Sequence, residues 1–490
     1  METFLIRAAQ LILSLSILVV LHEFGHFAFA RLFKVRVEKF YVFFNPKISL
    51  LRAKKINGKW NIRFFAENVQ PNERMKLDAK GEPLMDGKNH VMEPVPESEL
   101  PEGDWRRYPE TTEWGIGWLP LGGYCKIAGM VDESMDKTQM AQEPKWYEFR
   151  SQKGWKRLLI ISGGVLVNFI LALFIYSAIL FTWGREYIPL DNARFGLNFS
   201  QTMIDAGFRD GDKIQLIDGK KPLELGDAIE MILIDNAGSV TVDRDGNPVS
   251  IEIPKDLTQK ALASEKGVMS YRMPFVIDTV VSGSLASKAG LRAGDSLVAV
   301  NGKLIDMQQE VIREFSDNKG KMMSFEYFRG GTHYRTTLKM GADGKLGVGW
   351  RSMLQTERVE YGFFEAIPAG IRIGVEKLVG YVKQFKLVFT KEGVKSIGSF
   401  GALGSLFPPS WNWLSFWELT ALISIILAFM NFLPIPGLDG GYIVFLLYEM
   451  ITGRKPSDKF MEVAQMIGMS LLMLLFVYAI GNDIFRAFLK

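Results

Sequence analysis

Four stretches of this chain are apolar for long enough to cross a lipid bilayer, and this constrains the fold more than any other property. Residues 11–33 are broken only by His22, Glu23, His26 and Arg31; residues 158–183 and 463–482 carry no charge; residues 419–447 carry only Asp439. Each reaches the roughly 20 residues that a helix needs to span hydrocarbon. Lipid offers no partner to a free backbone amide, so such stretches close their hydrogen bonds internally, as helices. Ala28-Phe29-Ala30 has the form of a signal-peptide cleavage site, but Glu2 stands beside Arg7 and Glu23 sits inside the apolar run. The first stretch therefore reads as an uncleaved span.

The 490 residues leave room for several domains, and a net charge of +4 is too slight to point to nucleic acid. The single cysteine, Cys125, excludes an intrachain disulfide framework and reads as a buried or interfacial thiol. Basic residues near the span ends set the orientation. Nine Lys or Arg lie between Arg31 and Lys59, and Lys153, Lys156 and Arg157 precede the second span. Arg454, Lys455 and Lys459 lie between the third and fourth. Residues 34–156 and 449–462 are thus expected in the cytoplasm, with 184–415 and both termini outside.

The outer segment repeats itself. Ala206-Gly-Phe-Arg-Asp-Gly-Asp-Lys-Ile-Gln-Leu-Ile-Asp-Gly-Lys220 aligns with Ala289-Gly-Leu-Arg-Ala-Gly-Asp-Ser-Leu-Val-Ala-Val-Asn-Gly-Lys303, identical at seven of fifteen positions with an offset of 83. In each copy a Gly-Asp leads into a short apolar strand and then Asp-Gly or Asn-Gly, a strong turn signal. These stretches resemble a segment of PDZ domains, which bind extended peptides by adding them to a sheet edge; the second copy matches better, and the first is as readily a spacer. Asp205, Asp212 and Asp295 read as turn residues rather than catalytic acids. Farther on, Ile371, Val375, Leu378, Val382, Phe385 and Val388 alternate with Arg372, Lys377, Lys383 and Lys386. This predicts an amphipathic helix against membrane or protein. Trp411, Trp413 and Trp417 then mark a membrane interface.

His22-Glu23-Phe24-Gly25-His26 has the form H-E-x-x-H. On a helix both imidazoles share a face and can reach one zinc ion, while Glu23 can take a proton from water at the metal. Ionisable groups inside an apolar span are costly and tend to mark function. Catalytic zinc usually takes three protein ligands. His90 and His333 lie in polar segments and read as surface residues. Asp439 is the one acid well inside an apolar run, in Asn431-Phe-Leu-Pro434-Ile-Pro436-Gly437-Leu-Asp439-Gly440-Gly441. The prolines and glycines there must open the helix, which lipid tolerates only where the backbone lines a protein cavity. A carboxylate at such a place is explained economically by a metal.

H-E-x-G-H in the first span together with N-x-x-P-x-P-x-L-D-G in a later one resembles the signature of the site-2 protease family of intramembrane zinc metalloproteases. Two PDZ-like copies between the second and third spans are similar to the branch of regulator of sigma-E proteases. The resemblance implies that His22, His26 and Asp439 are zinc ligands and Glu23 the general base. It implies that Asn431 and Pro434 bind substrate, and that Gly122 and Gly123, within Pro120-Leu-Gly-Gly-Tyr-Cys-Lys126, belong to a substrate-holding strand of a membrane-associated β-hairpin. Three departures accompany it: Phe43-Phe44-Asn45-Pro46 in the hairpin's first strand, a long polar insertion at 67–113, and a poorly matching 396–404.

The expected fold class is a polytopic α-helical membrane protein with four transmembrane helices, a membrane-associated β-hairpin and two extracytoplasmic α+β PDZ domains. The expected order is a first span at 1–33 and a cytoplasmic segment at 34–156. A second span at 157–184, PDZ domains at 190–265 and 266–352, and a periplasmic amphipathic helix and linker at 353–413 follow. A third span at 414–448, a cytoplasmic loop at 449–462 and a fourth span at 463–485 complete it. The expected function is hydrolysis of peptide bonds in membrane segments of pre-trimmed, single-pass proteins such as anti-sigma factors and signal-peptide remnants. The expected setting is a bacterial inner membrane, with Zn2+ as cofactor, peptide C-termini at the periplasmic PDZ domains, the active site toward the cytoplasm and no nucleic-acid partner. The rival is a non-catalytic PDZ scaffold or chaperone.

Overall fold

The structure, a computed structural model, describes residues 2–489 except 69–72, 76–84, 87–88, 91, 96–98, 102, 121, 131–142, 265–266, 306, 397 and 399. Part of the polar insertion 67–113 thus lies outside the described residues. The chain divides into two compact bodies: residues 1–183 with 361–382 and 397–490, and residues 184–360 with 383–396.

The first body is built on helices. Among its described residues are four long and apolar enough to cross a membrane: α1 (Glu2–Leu32), α2 (Gly154–Trp183), α4 (Trp413–Phe432) and the stretch Lys459–Phe485 of α6 (Asp458–Leu489). Helices α1 and α2 cross where glycine faces glycine. A β-carbon on Gly25 would stand 2.2 Å from the Gly163 carbonyl oxygen, and one on Gly163 would stand 2.6 Å from that of Gly25. Such close approach is how helices pack in lipid, where apolar burial gives no advantage over lipid contact. Buried hydroxyls add bonds: Thr420 Oγ1 donates to Ser14 Oγ at 3.0 Å, and Ser424 Oγ donates to the Asn168 carbonyl at 2.7 Å.

The expected third span, 414–448, is two helices. Helix α4 starts on an Asn412 cap and stops at Phe432; residues 433–438 are irregular, with Gly437 at φ +96°; α5 (Asp439–Thr452) then begins at the aspartate itself. Pro434 and Pro436 cannot donate to a continuing helical ladder, which is the physical reason for the break.

The expected pairing of the segment near 43–46 with the segment at 120–126 lies within a larger sheet, with Phe44 bridged antiparallel to Leu119. Strands β1 (Val37–Tyr41), β2 (Ile48–Ile56), β3 (Lys59–Glu67), β4 (Glu113–Ile116) and β5 (Tyr124–Ile127) form one five-stranded sheet in the order β3-β2-β4-β1-β5. Only β2 and β3 are a hairpin, closed by Asn57-Gly58 with positive φ at both residues. β5 pairs antiparallel with β1, far away in sequence, while β4 enters parallel on the other side of β1. One face carries Phe40 and Trp114 against Phe27 of α1. Elsewhere in the sheet Arg52, Tyr41 and Glu113 are buried, with the Tyr41 hydroxyl donating to Glu113 at 2.5 Å. Burial and the Glu113 carboxylate push the Tyr41 phenol well above its usual range.

Helix α3 (Phe363–Phe385) contains the amphipathic stretch, but its buried stripe is made of small residues. Ala366, Ala369, Gly370 and Gly374 are buried, whereas Ile371, Val375 and Val382 are exposed. A β-carbon on Gly370 would meet the Ser177 backbone at 2.4 Å, so the helix packs on α2 through its small side.

The second body holds two modules with separate cores, one around Leu197, Phe208, Ile217 and Val240, the other around Phe275, Leu297, Val300 and Phe325. The repeat is also a repeat of interactions. Arg244 forks onto Asp212, and Arg329 forks onto Asp295, each through Nε and Nη2. Each aspartate also accepts the amide of the arginine three residues earlier, Arg209 or Arg292, at 2.8 Å. The turns match: Asp218-Gly219 and Asn301-Gly302 all have positive φ. Asp218 accepts from the Ser239 and Gly238 amides, which holds its carboxyl below the usual range.

Candidate metal centre

The helical period of α1 puts His22 and His26 on one face, and the helix break at residues 433–438 lets the first residue of α5 meet them. His22 Nε2 lies 3.3 Å from His26 Nε2. Asp439 Oδ2 lies 3.2 Å from His22 Nε2 and 3.4 Å from His26 Nε2. These three are the one His/Cys/Asp/Glu group among the described residues with donors close enough to share an ion.

The triangle fits zinc. Donors on a tetrahedral ion at about 2.0–2.1 Å stand roughly 3.3–3.4 Å apart, which is the spacing seen here. Asp439 Oδ2 is buried and has no hydrogen bond of acceptable geometry among the described residues. Two imidazole nitrogens and a carboxylate oxygen converging on one point form an arrangement that a cation completes.

Helix α2 is the back wall of this site. A β-carbon on Gly164 would stand 2.5 Å from His22 Cε1 and 2.6 Å from His26 Nε2, so only glycine leaves room for both rings. His26 Nδ1 lies 2.9 Å from the Ile160 carbonyl oxygen, and Asn168 Nδ2 lies 3.4 Å from His22 Nδ1. Glu23, beside His22 in sequence, is half-buried. A β-carbon on Gly123 would stand 2.6 Å from the Tyr41 carbonyl oxygen and 3.6 Å from Glu23 Cγ. Gly123 thus brings the start of β5 against the Glu23 side chain. Gly122, at φ +155°, lies against the Phe44 ring. Asn431 is half-buried in the last turn of α4, and Pro434 is exposed in the break.

The other candidates lie elsewhere. His333 pairs with Glu326 at 3.3 Å in the second body, and His90 lies on a short strand opposite Met85. Cys125 packs in the cluster of Ala30, Ile127 and Ile160. Sequence reading missed Gly163, Gly164 and Asn168. Their signal was present as two adjacent glycines and one amide in an otherwise apolar span.

The profile of Peptidase family M50 matches residues 10–67 and 105–475. The chain belongs to peptidase family M50. This M50 chain is 28% identical to a Neisseria meningitidis protein whose name assigns it as a candidate zinc metalloprotease, over 97% of this chain and 98% of the relative. It is 27% identical to the regulator of sigma-E protease RseP of Escherichia coli K12, over 99% of this chain and the whole relative. The regulator of sigma E protease of Haemophilus influenzae is 26% identical over 99% of this chain and the whole relative. As an M50 member the chain is a zinc-dependent metalloprotease, and its four apolar helices make it a polytopic membrane protein.

Proposed function

We propose that this chain is an intramembrane zinc metalloendopeptidase in which His22, His26 and Asp439 hold the metal and Glu23 is the general base. The observation that carries the reading is the triangle of two imidazole nitrogens and one carboxylate oxygen with sides of 3.2–3.4 Å. When bound, zinc supplies Lewis acidity, polarising a peptide carbonyl and acidifying water. Glu23 then takes the proton of the attacking water and returns it to the leaving amine, the usual exchange of base and acid roles in one hydrolysis.

A transmembrane substrate hides its carbonyls in helical hydrogen bonds, so it has to unwind before it can be cut. Among the described residues β5 is an edge strand of the sheet, whereas β4 is enclosed by β2 and β1. An extended substrate added to β5 would run past Gly122 and Gly123 beside Glu23, with its backbone satisfied by the strand. Asn431 and Pro434 contact that backbone from the side of the helix break. The expected substrate-holding strand within 120–126 is thus read as β5, not β4.

The two modules of the second body are read as PDZ domains on the periplasmic side of a bacterial inner membrane, with the site toward the cytoplasm, from the basic residues that flank the spans. They act as a size filter for substrates already trimmed outside the membrane. The resemblance to the regulator of sigma-E proteases implies anti-sigma factors as the signalling substrates, and signal-peptide remnants are the second class. A non-catalytic scaffold is the rival reading, and the convergence of His22, His26 and Asp439 on one point speaks against it.

Purified protein and Glu23→Gln, compared on single-pass membrane substrates with zinc measured in both, test the reading. Zinc is expected in both, with cleavage falling by about 10²–10⁴-fold in the variant. Undiminished cleavage by Glu23→Gln would remove the base from the mechanism, and wild-type protein without zinc would favour the scaffold.

A further inference from the structure

Asn168 is an amide within residues 158–183, the stretch of α2 that carries no charge. It is 1% exposed. Its carboxamide does not tie α2 to α4, because Ser424 bonds the Asn168 backbone carbonyl instead. Among the described residues its side chain has one polar neighbour, His22 Nδ1 at 3.4 Å, and its Oδ1 has no partner. A buried polar group inside a membrane span is costly and tends to serve a function.

We infer that Asn168 is a positioning residue whose carboxamide oxygen accepts the Nδ1 proton of His22 and so keeps the Nε2 lone pair facing the metal. The inference rests on His22 being a zinc ligand and deepens that reading. His22 Nε2 faces both His26 Nε2 and Asp439 Oδ2. A ring that offers Nε2 to a metal carries its proton on Nδ1, and that proton needs an acceptor. A half-turn of the carboxamide exchanges its two ends within the same outline, so the ring tautomer decides which end meets it, and only the oxygen accepts.

His26 shows the same device built from backbone. Its Nδ1 lies 2.9 Å from the Ile160 carbonyl, which can only accept. Residues 160, 164 and 168 are spaced by four on α2 and so share one face. That face supplies an acceptor for His26, a gap at Gly164 for both rings, and an acceptor for His22. The helix that contributes no ligand thus fixes the tautomer of both histidines.

The test is metal affinity of the full-length protein in detergent, by chelator competition for Zn2+ and by the visible spectrum of the Co2+ form. Asn168→Leu, without an acceptor, is expected to bind about 10–100-fold more weakly. Asn168→Asp, which restores an oxygen, is expected to remain within a few-fold of wild type. Thermal unfolding with excess chelator checks that the apoproteins fold alike, and Asn168→Ala replaces the leucine variant if that one does not fold. Wild-type affinity in the acceptor-less variant, or an aspartate variant as weak as it, overturns the inference. His22→Ala run alongside separates the two levels: if its affinity also equals that of wild type, the ligand assignment itself fails.

Discussion

Asp295 in the repeat body is buried, Asp439 at the start of α5 has one oxygen withdrawn from water, and the two carboxylates are answered differently. Asp295 receives a fork from Arg329 and the Arg292 amide, so both of its oxygens are satisfied. Asp439 turns one oxygen to two imidazoles and has no hydrogen bond there. A buried acid that is fully paired holds a fold together, because losing either partner leaves an uncompensated charge. A buried acid that faces only other donors to a cation is incomplete without that cation. The same contrast separates Asp212, paired with Arg244, from the acid of the candidate metal centre.

The contrast breaks if the two acids respond alike to removal. Asp439→Ala is expected to lose zinc by more than the roughly 100-fold that an outer partner is worth, and cleavage with it. The unfolding of the repeat body should be unchanged, so a calorimetric shift there would break the division. Asp295→Ala should do the reverse. It should destabilise its module toward the lower end of about 3–5 kcal/mol, since the arginine partner is partly exposed, and leave zinc content at the wild-type value. Denaturant unfolding reads the first effect and metal analysis the second.

Two smaller effects sharpen the comparison. Gly164→Ala puts a methyl group where both rings stand, at an overpacking cost of about 1–3 kcal/mol, and should weaken zinc binding without touching a ligand. Unaltered affinity would show that the rings have room to withdraw. Arg329→Lys keeps the charge at Asp295 but gives up the fork, and should cost about 1 kcal/mol of module stability with no change in activity.

Much of the site was legible because its chemistry is written in local spacing. His22 and His26 stand one helical turn apart, and Asp439 is the single acid in its run beside two prolines. The helix break was legible for the same reason, since proline acts on its own backbone. The paired aspartates of the repeat were legible as turn residues, but their arginine partners were not. Arg244 and Arg329 lie outside the aligned segment and reach the aspartates only through strand pairing. The extent of the sheet was not legible, because the alternation of short strands does not say which edges meet, and β4 enters between β2 and β1 from far along the chain.

Taken alone, the order of residues determined the apolar spans, the zinc-type donors and the repeated module, all properties of neighbours within a few turns or of a period. Only tertiary structure decided that Gly164 and Asn168 stand against the histidines, that β5 rather than β4 presents an edge, and that α3 packs through alanine and glycine. These depend on which surfaces meet. Side-chain volume and hydrogen-bond valence select among meetings only once the backbones have been brought together.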